Sequence, residues 1–210
     1  MELKKLYLSL ILLAILTVGG FVFLLKEPAS RDVHVSCETT KGPIRITIHP
    51  EWSPRGAARF LELVDDGFFT NLPMFRCMAG FLCQFGAKPG QPSRYTPIQD
   101  DPRPTPAGAF EPGYLSFAGY GKNSRANHIF ISLAAVPSLG QQPWETPLAT
   151  VDPSSMEVVK SFETRYGDSM PRGQGPEPQK IEAPDGPQYL RSNFPDLDYF
   201  VSCERTAVSE

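Results

Sequence analysis

The sequence predicts an all-β domain, a closed or nearly closed antiparallel sheet with two helices, behind one N-terminal membrane-spanning helix. Three observations lead there. Short strand-like runs recur between glycine and proline turns. Only two capped amphipathic stretches read as helices, and 22 prolines in 210 residues leave little room for long ones. Residues 6–25 form a run of 20 uncharged, mostly apolar residues.

That run comes first in the chain. As a helix at ~1.5 Å per residue it covers ~30 Å, about the hydrocarbon thickness of a bilayer. Lys4 and Lys5 precede it, whereas Lys26 is offset by Glu27, so residues 1–5 are expected in the cytosol and the rest on the far side. A cleaved secretory peptide is the rival reading; it would release a secreted form, but its apolar core usually spans only ~7–15 residues. Residues 26–32 read as a linker, 33–205 as the folded domain and 206–210 as a tail. Beyond residue 26 the balance is 17 basic against 22 acidic residues, which gives no electrostatic reason to expect a nucleic-acid groove.

Residues 33–40 are strand-like, and Lys41-Gly42-Pro43 forms a turn. Residues 44–49 then alternate, with Ile44, Ile46 and Ile48 on one face, as a half-buried strand requires. Ser53-Pro54 signals a helix start with Ser53 as cap. Ala57, Phe60, Leu61 and Val64 give that helix its apolar stripe, and Gly67 ends it. Residues 73–85 read as two short strands about an Ala79-Gly80 bend. Seven prolines between positions 89 and 112 mark a stiff, ordered excursion. Residues 114–118 and 129–133 are strands flanking a polar loop. Asp152-Pro153 caps a second helix with Met156, Val159 and Phe162 as its stripe. Residues 168–190 read as loop, and 197–203 as the last strand.

Several chemistries are absent from the pattern. His34, His49 and His128 are isolated, the cysteines form no C-x-x-C unit, and no metal set emerges. No phosphate-binding glycine loop or serine nucleophile elbow is present, and no cofactor is implied. Cys77 and Cys83 straddle the Gly80 bend, while Cys37 and Cys203 lie in the first and last strands. Two disulfides and four buried thiols both remain open readings on the far side of a membrane. What stands out is a polar pair in apolar surroundings. Arg76 and Gln84 have the same offset from Gly80, so a hairpin sets them side by side among Phe75, Phe81, Leu82, Phe85 and Phe130. One reading is an arginine snorkelling from a sheet edge; the other is a fixed guanidinium beside an apolar pocket, able to bind an amide or carboxylate.

At this cluster the sequence resembles the cyclophilin family of peptidyl-prolyl cis-trans isomerases. The resemblance runs from about residue 33 to 204. It is carried by TTKGPIRITIHPEWSPRGAARFLELVDDGFF, MFRCMAGFLCQFG, GYLSFAGYGKNSRANHIFISL and MEVVKSF, with the pattern F-x-R-x-x-x-G-F-x-x-Q-x-G matched from Arg76 to Gly86. The tail, from RGQGPEPQKI to FPDLDYF, is similar to a divergent subgroup with a longer last segment. The resemblance implies an eight-stranded antiparallel barrel closed by a helix at each end, with a proline groove on its outside. It implies Arg76 as the catalytic arginine and Gln84 as its orienting partner. Phe75, Phe81, Leu82, Phe130 and Leu139 fall at or beside the prolyl pocket. Ala118 and Gly119 lie in the strand that accepts the substrate backbone, and His128 takes the place of a common glutamine.

Departures accompany the match. Met74 replaces the phenylalanine that opens the pattern. The family's tryptophan wall aligns with Ser138 or Leu139 and its pocket-edge histidine near Glu145, while Trp144 is displaced by several residues. The expectation is an isomerase of X-Pro bonds in lumenal or extracellular chains, assisting their folding, with activity weakened by the altered wall. The alternative is a module that holds proline-containing peptides without catalysis. The partners implied are proline-containing polypeptides and, through residues 6–25, membrane lipid. The location implied is a single-pass type II membrane protein facing the endoplasmic reticulum or Golgi lumen or the cell exterior.

Overall fold

The computed structural model describes residues 32–102 and 110–206. The expected membrane span at 6–25 lies outside them, and among the described residues no helix is long and apolar enough to cross a membrane. β1 (Val33–Thr39) and β2 (Gly42–Ile48) pair antiparallel in continuous register from Val33↔Ile48 to Thr39↔Gly42. The turn is therefore tighter than the sequence reading, because Gly42 at φ +122° lets the strand begin there. Ile44, Ile46 and Ile48 are all buried, as alternation required.

α1 (Pro54–Asp65) turns Phe60, Leu63 and Val64 inward. Each such side chain contributes ~1.5–3 kcal/mol by leaving water. Leu61, placed on the stripe from sequence, is only partly buried, and Leu63 occupies the core instead. Short strands follow: β3 (Leu72–Pro73), β4 (Arg76–Cys77), β5 (Leu82–Phe85), β6 (Tyr114–Phe117), β7 (Ile129–Ser132), β8 (Ala149–Val151) and finally β9 (Tyr199–Thr206). They form one antiparallel sheet in the order β3-β9-β1-β2-β8-β6-β7-β5-β4. The two edge strands, β3 and β4, are separated along the chain by Met74 and Phe75 alone, so the backbone itself brings the edges together. Among the described residues nine segments thus stand where eight strands were expected, because the chain breaks its pairing at those two residues.

The helical part also departs from expectation. α2 (Met156–Lys160) is only five residues long, yet Val159 and Phe162 still plug the main core. Two further helices, α3 (Pro178–Glu182) and α4 (Gly186–Asn193), occupy a segment expected to be loop. Pro178 and Pro187 sit in first turns, where the missing N–H costs nothing. At the corner between them Gly186 lies so close to the Ile181 carbonyl that a Cβ would stand 1.8 Å away. Ile181 and Leu190 join Phe75, Ala87, Phe194 and Leu197 in a second small core outside the main one.

All four cysteines are paired. Cys37 and Cys203 face each other across β1 and β9, and Cys77 faces Cys83 across β4 and β5. The first bridge spans 166 residues of sequence, a loop long enough to stabilise by ~2–5 kcal/mol against the open unfolded chain.

Candidate functional site

The β4–β5 hairpin sets the site. Gly80 at φ +70° makes the bend, and Arg76 pairs directly with Gln84 across it. Cys77 and Cys83, the next pair inward, are buried in the main core, so Arg76 and Gln84 take the outer face by strand alternation. Arg76 Nη1 donates to Gln84 Oε1 at 3.0 Å, and Nε donates to Asp168 Oδ1 at 2.5 Å. The other Nη hydrogens have no protein acceptor among the described residues. Only 17% of the Arg76 side chain is exposed, so these donors project from a largely sheltered position. A guanidinium gripped by two acceptors, with its remaining donors open, can stabilise charge or a lone pair developing on a bound amide.

An apolar cluster flanks it. Leu82, Phe130, Phe110 and Val136 are buried together, and Phe81, Ala118, Leu139, Met78 and Tyr114 pack against them. Five residues expected around the pocket, Phe81, Leu82, Ala118, Phe130 and Leu139, are therefore in one patch. β5 supplies Leu82 and its neighbour β7 supplies Phe130, with Gln84↔Phe130 in register. Phe110 stands beside Phe130 with ring centroids 5.4 Å apart, and Phe130 is only 3% exposed. Phe110 is held there by backbone bonds in both directions with Val136.

Phe75 requires correction. It is 1% exposed and belongs to the second core with Ile181 and Leu190 rather than to the pocket patch. The reason is the break between β3 and β4, which turns its ring under the tail helices. His128 lies edge-on to Phe75 at 5.6 Å, and its Nε2 is 3.8 Å from Glu182 Oε1 of α3, so it leans toward the tail. Ala118 and Gly119, expected in a strand, follow β6, which ends at Phe117, and Gly119 lies against the Trp144 side chain. A Cβ there would come within 2.9 Å of the Trp144 side chain, which the bare glycine lets approach.

Asp168 is the residue that sequence reading missed. It lies 92 positions from Arg76 in a segment read only as Gly/Pro-rich loop, and its one local signal is an acid flanked by glycine. The hydrogen bond from Arg76 holds its carboxyl below the usual range against the opposing effect of burial, helped by the Arg76 charge, the Ser169 N–H and Arg172. One other group, Asp32, His49 and Glu51, brings three ligand-type atoms within 4.8 Å of one another. There His49 is already engaged by Asp32 at 2.9 Å and Thr150 at 3.0 Å.

Similarity to known proteins points the same way. Residues 34–182 match the family model for cyclophilin type peptidyl-prolyl cis-trans isomerase/CLD. A peptidyl-prolyl cis-trans isomerase of Synechococcus elongatus is 33% identical over 135 residues, which is 62% of this chain and 88% of that protein. One from Arabidopsis thaliana is 31% identical over 117 residues, 54% of this chain and 71% of that protein. The crystal structure of a cyclophilin type isomerase from Cryptosporidium parvum superposes with a TM-score of 0.59 at 17% identity, covering 85% of this chain and all of that one. The same parasite enzyme crystallised in the presence of the dipeptide Ala-Pro gives a TM-score of 0.58 at 16% identity, covering 83% and 99%. The match over most of its length places this chain in the cyclophilin-type peptidyl-prolyl cis-trans isomerase family.

Proposed function

We propose that the protein accelerates rotation about X-Pro bonds in polypeptides on the lumenal or outer side of a membrane, using Arg76 as its catalytic donor. The observation that carries this reading is Arg76 Nη1 bonded to Gln84 Oε1 at 3.0 Å beside the apolar patch of Phe81, Leu82 and Phe130. Rotation is slow because amide resonance must be broken, against a barrier of ~18–20 kcal/mol. As conjugation is lost, the prolyl nitrogen becomes pyramidal and its lone pair becomes available. A guanidinium already fixed by Gln84 donates to that lone pair more strongly in the twisted state than in either planar one, so it lowers the barrier. No proton transfer or covalent bond is needed. The patch seats the pyrrolidine ring while Ala118 and Gly119 align the substrate backbone.

The test follows the cis-to-trans relaxation of a prolyl tetrapeptide with the full chain in detergent. Relaxation faster than the uncatalysed rate, rising in proportion to protein, is expected; the uncatalysed rate at every concentration overturns the reading. A second reading, a module that holds proline peptides without catalysis, is favoured by the altered wall, where Ser138 or Leu139 aligns with the family's tryptophan and Glu145 near its pocket-edge histidine. Saturable peptide binding with no acceleration selects it.

Residues 6–25, with Lys4 and Lys5 before them, support a type II anchor in contact with lipid, and two disulfides support an oxidising compartment. On this reading the isomerase assists the folding of client chains in that compartment. Protease added to sealed microsomes carrying the full chain should leave a protected fragment containing the β domain. Complete digestion without detergent rules this orientation out.

A further inference from the structure

We propose that Asp168 is a positioning residue for catalysis, holding the Arg76 guanidinium in the plane from which it faces the prolyl nitrogen. This rests on the isomerase reading and deepens it. A single acceptor would leave the guanidinium free to pivot. Here two acceptors take two different nitrogens, Gln84 Oε1 at Nη1 and Asp168 Oδ1 at Nε. The planar group is thereby fixed in orientation, and the open end of the fork is left for substrate.

The loop around Asp168 is built to present that carboxylate. The Ser169 N–H donates to Oδ1 at 2.8 Å, and the Gly175 N–H donates to the Asp168 carbonyl at 2.8 Å. Met170 N–H returns a bond to the Gly175 carbonyl at 3.1 Å, closing the loop at its neck. Gly173 lies where any Cβ would stand 2.2 Å from the Asp168 carbonyl oxygen, so the loop can close this tightly only around glycine. The second carboxylate oxygen is 3.4 Å from Arg172 Nε, a group 78% exposed, whereas Asp168 itself is 18% exposed. The sheltered partner is thus Arg76, and the exposed one is a counter-charge at the rim.

A plain ion pair tying the tail to the sheet would share this geometry, and the kinetics separate the two. The full chain and its Asp168→Ala, Asp168→Asn and Asp168→Glu variants are compared for kcat and KM on a prolyl tetrapeptide, with the Arg76 Nε–H resonance followed by NMR. Asp168→Ala is expected to lower kcat about 10–100-fold with KM within about twofold, the range for a misaligned catalytic group. The Nε–H resonance moves to the position of a free arginine. Asp168→Asn, which keeps an acceptor, loses less, and Asp168→Glu recovers part of the rate. Should the Ala variant not fold, the Asn variant decides. Wild-type kcat in both Ala and Asn variants, or a loss confined to KM or to thermal stability, overturns the inference. A wild-type chain with no isomerase activity instead overturns the reading beneath it.

Discussion

Replacing Arg76 by Ala is expected to lower kcat/KM on a prolyl tetrapeptide by about 10²–10³-fold, or ~2.7–4 kcal/mol of transition-state stabilisation, the usual loss for one preorganised donor. The effect falls on kcat more than on KM, because the planar ground state offers the donor no free lone pair. Arg76→Lys should recover little, since an ammonium cannot hold both Gln84 and Asp168 while presenting a further planar donor. The fold should survive either change. Asp168 would keep the Ser169 N–H and Arg172 as partners, and the pair sits on the outer face of the sheet rather than in the main core. Relaxation kinetics together with thermal unfolding of each variant provide the check. An Arg76→Ala protein as fast as the wild type would show that the rate enhancement comes from elsewhere.

Arg125→Ala should cost ~3–5 kcal/mol of folding stability, the penalty for leaving one member of a buried ion pair alone. Arg125 and Asp101 are both fully buried at the side chain, with Nη1 2.9 Å from Asp101 Oδ2. Asp101 in turn accepts from the Ser53 hydroxyl and from the Arg55 and Gly56 N–H groups, so one carboxylate satisfies the start of α1. Arg125 Nη2 donates to the Gln99 carbonyl at 2.5 Å. Its Nε and Asp100 Oδ1 lie 3.7 Å apart without a hydrogen bond, held by charge alone. Burial raises the Asp101 pKa, but the bonds from Ser53, Arg55 and Arg125 outweigh it and leave the carboxyl below its ordinary value.

A depressed folded-state pKa contributes stability that is present above the unfolded value, ~3.9 for Asp, and is lost as pH falls through the folded one. The wild-type urea midpoint should therefore drop on the acid side of pH ~4. Arg125→Ala should start lower at neutral pH and lose less there on acidification, since its Asp101 is less depressed. Urea unfolding at neutral and acid pH measures both. A neutral-pH stability within ~0.5 kcal/mol of the wild type, the scatter of ordinary surface changes, would refute the role of the cluster.

Both sites differ in how far they can be read from the chain. The Arg76 and Gln84 pairing is legible because it depends only on equal offsets from Gly80 and on strand alternation. The β1–β2 hairpin and the apolar face of α1 are legible for the same reason, since period 2 and period 3.6 are local properties. Cap chemistry is less secure. Ser53 stands at the helix start as the pattern suggests, yet its side chain makes no capping bond, because Asp101 from the proline-rich excursion takes that position. The described part of that excursion, residues 89–102, was legible as loop; its task of carrying a carboxylate back to α1 was not. Prolines misled in the tail, where Pro178 and Pro187 start helices that composition alone reads as loop.

The sequence by itself determined the strands with a strict alternation, the long helix and the hairpin that aligns Arg76 with Gln84. It also marked the apolar residues that gather beside them. Each of these follows from neighbours a few positions apart, where backbone geometry leaves little choice. Only the tertiary structure decided that Asp168 reaches Arg76, that Phe75 turns into a second core under α3 and α4, and that Phe110 packs beside Phe130. Those contacts join segments far apart in the chain, and their partners are chosen by sheet closure and by what space the packed core leaves, which no local period encodes.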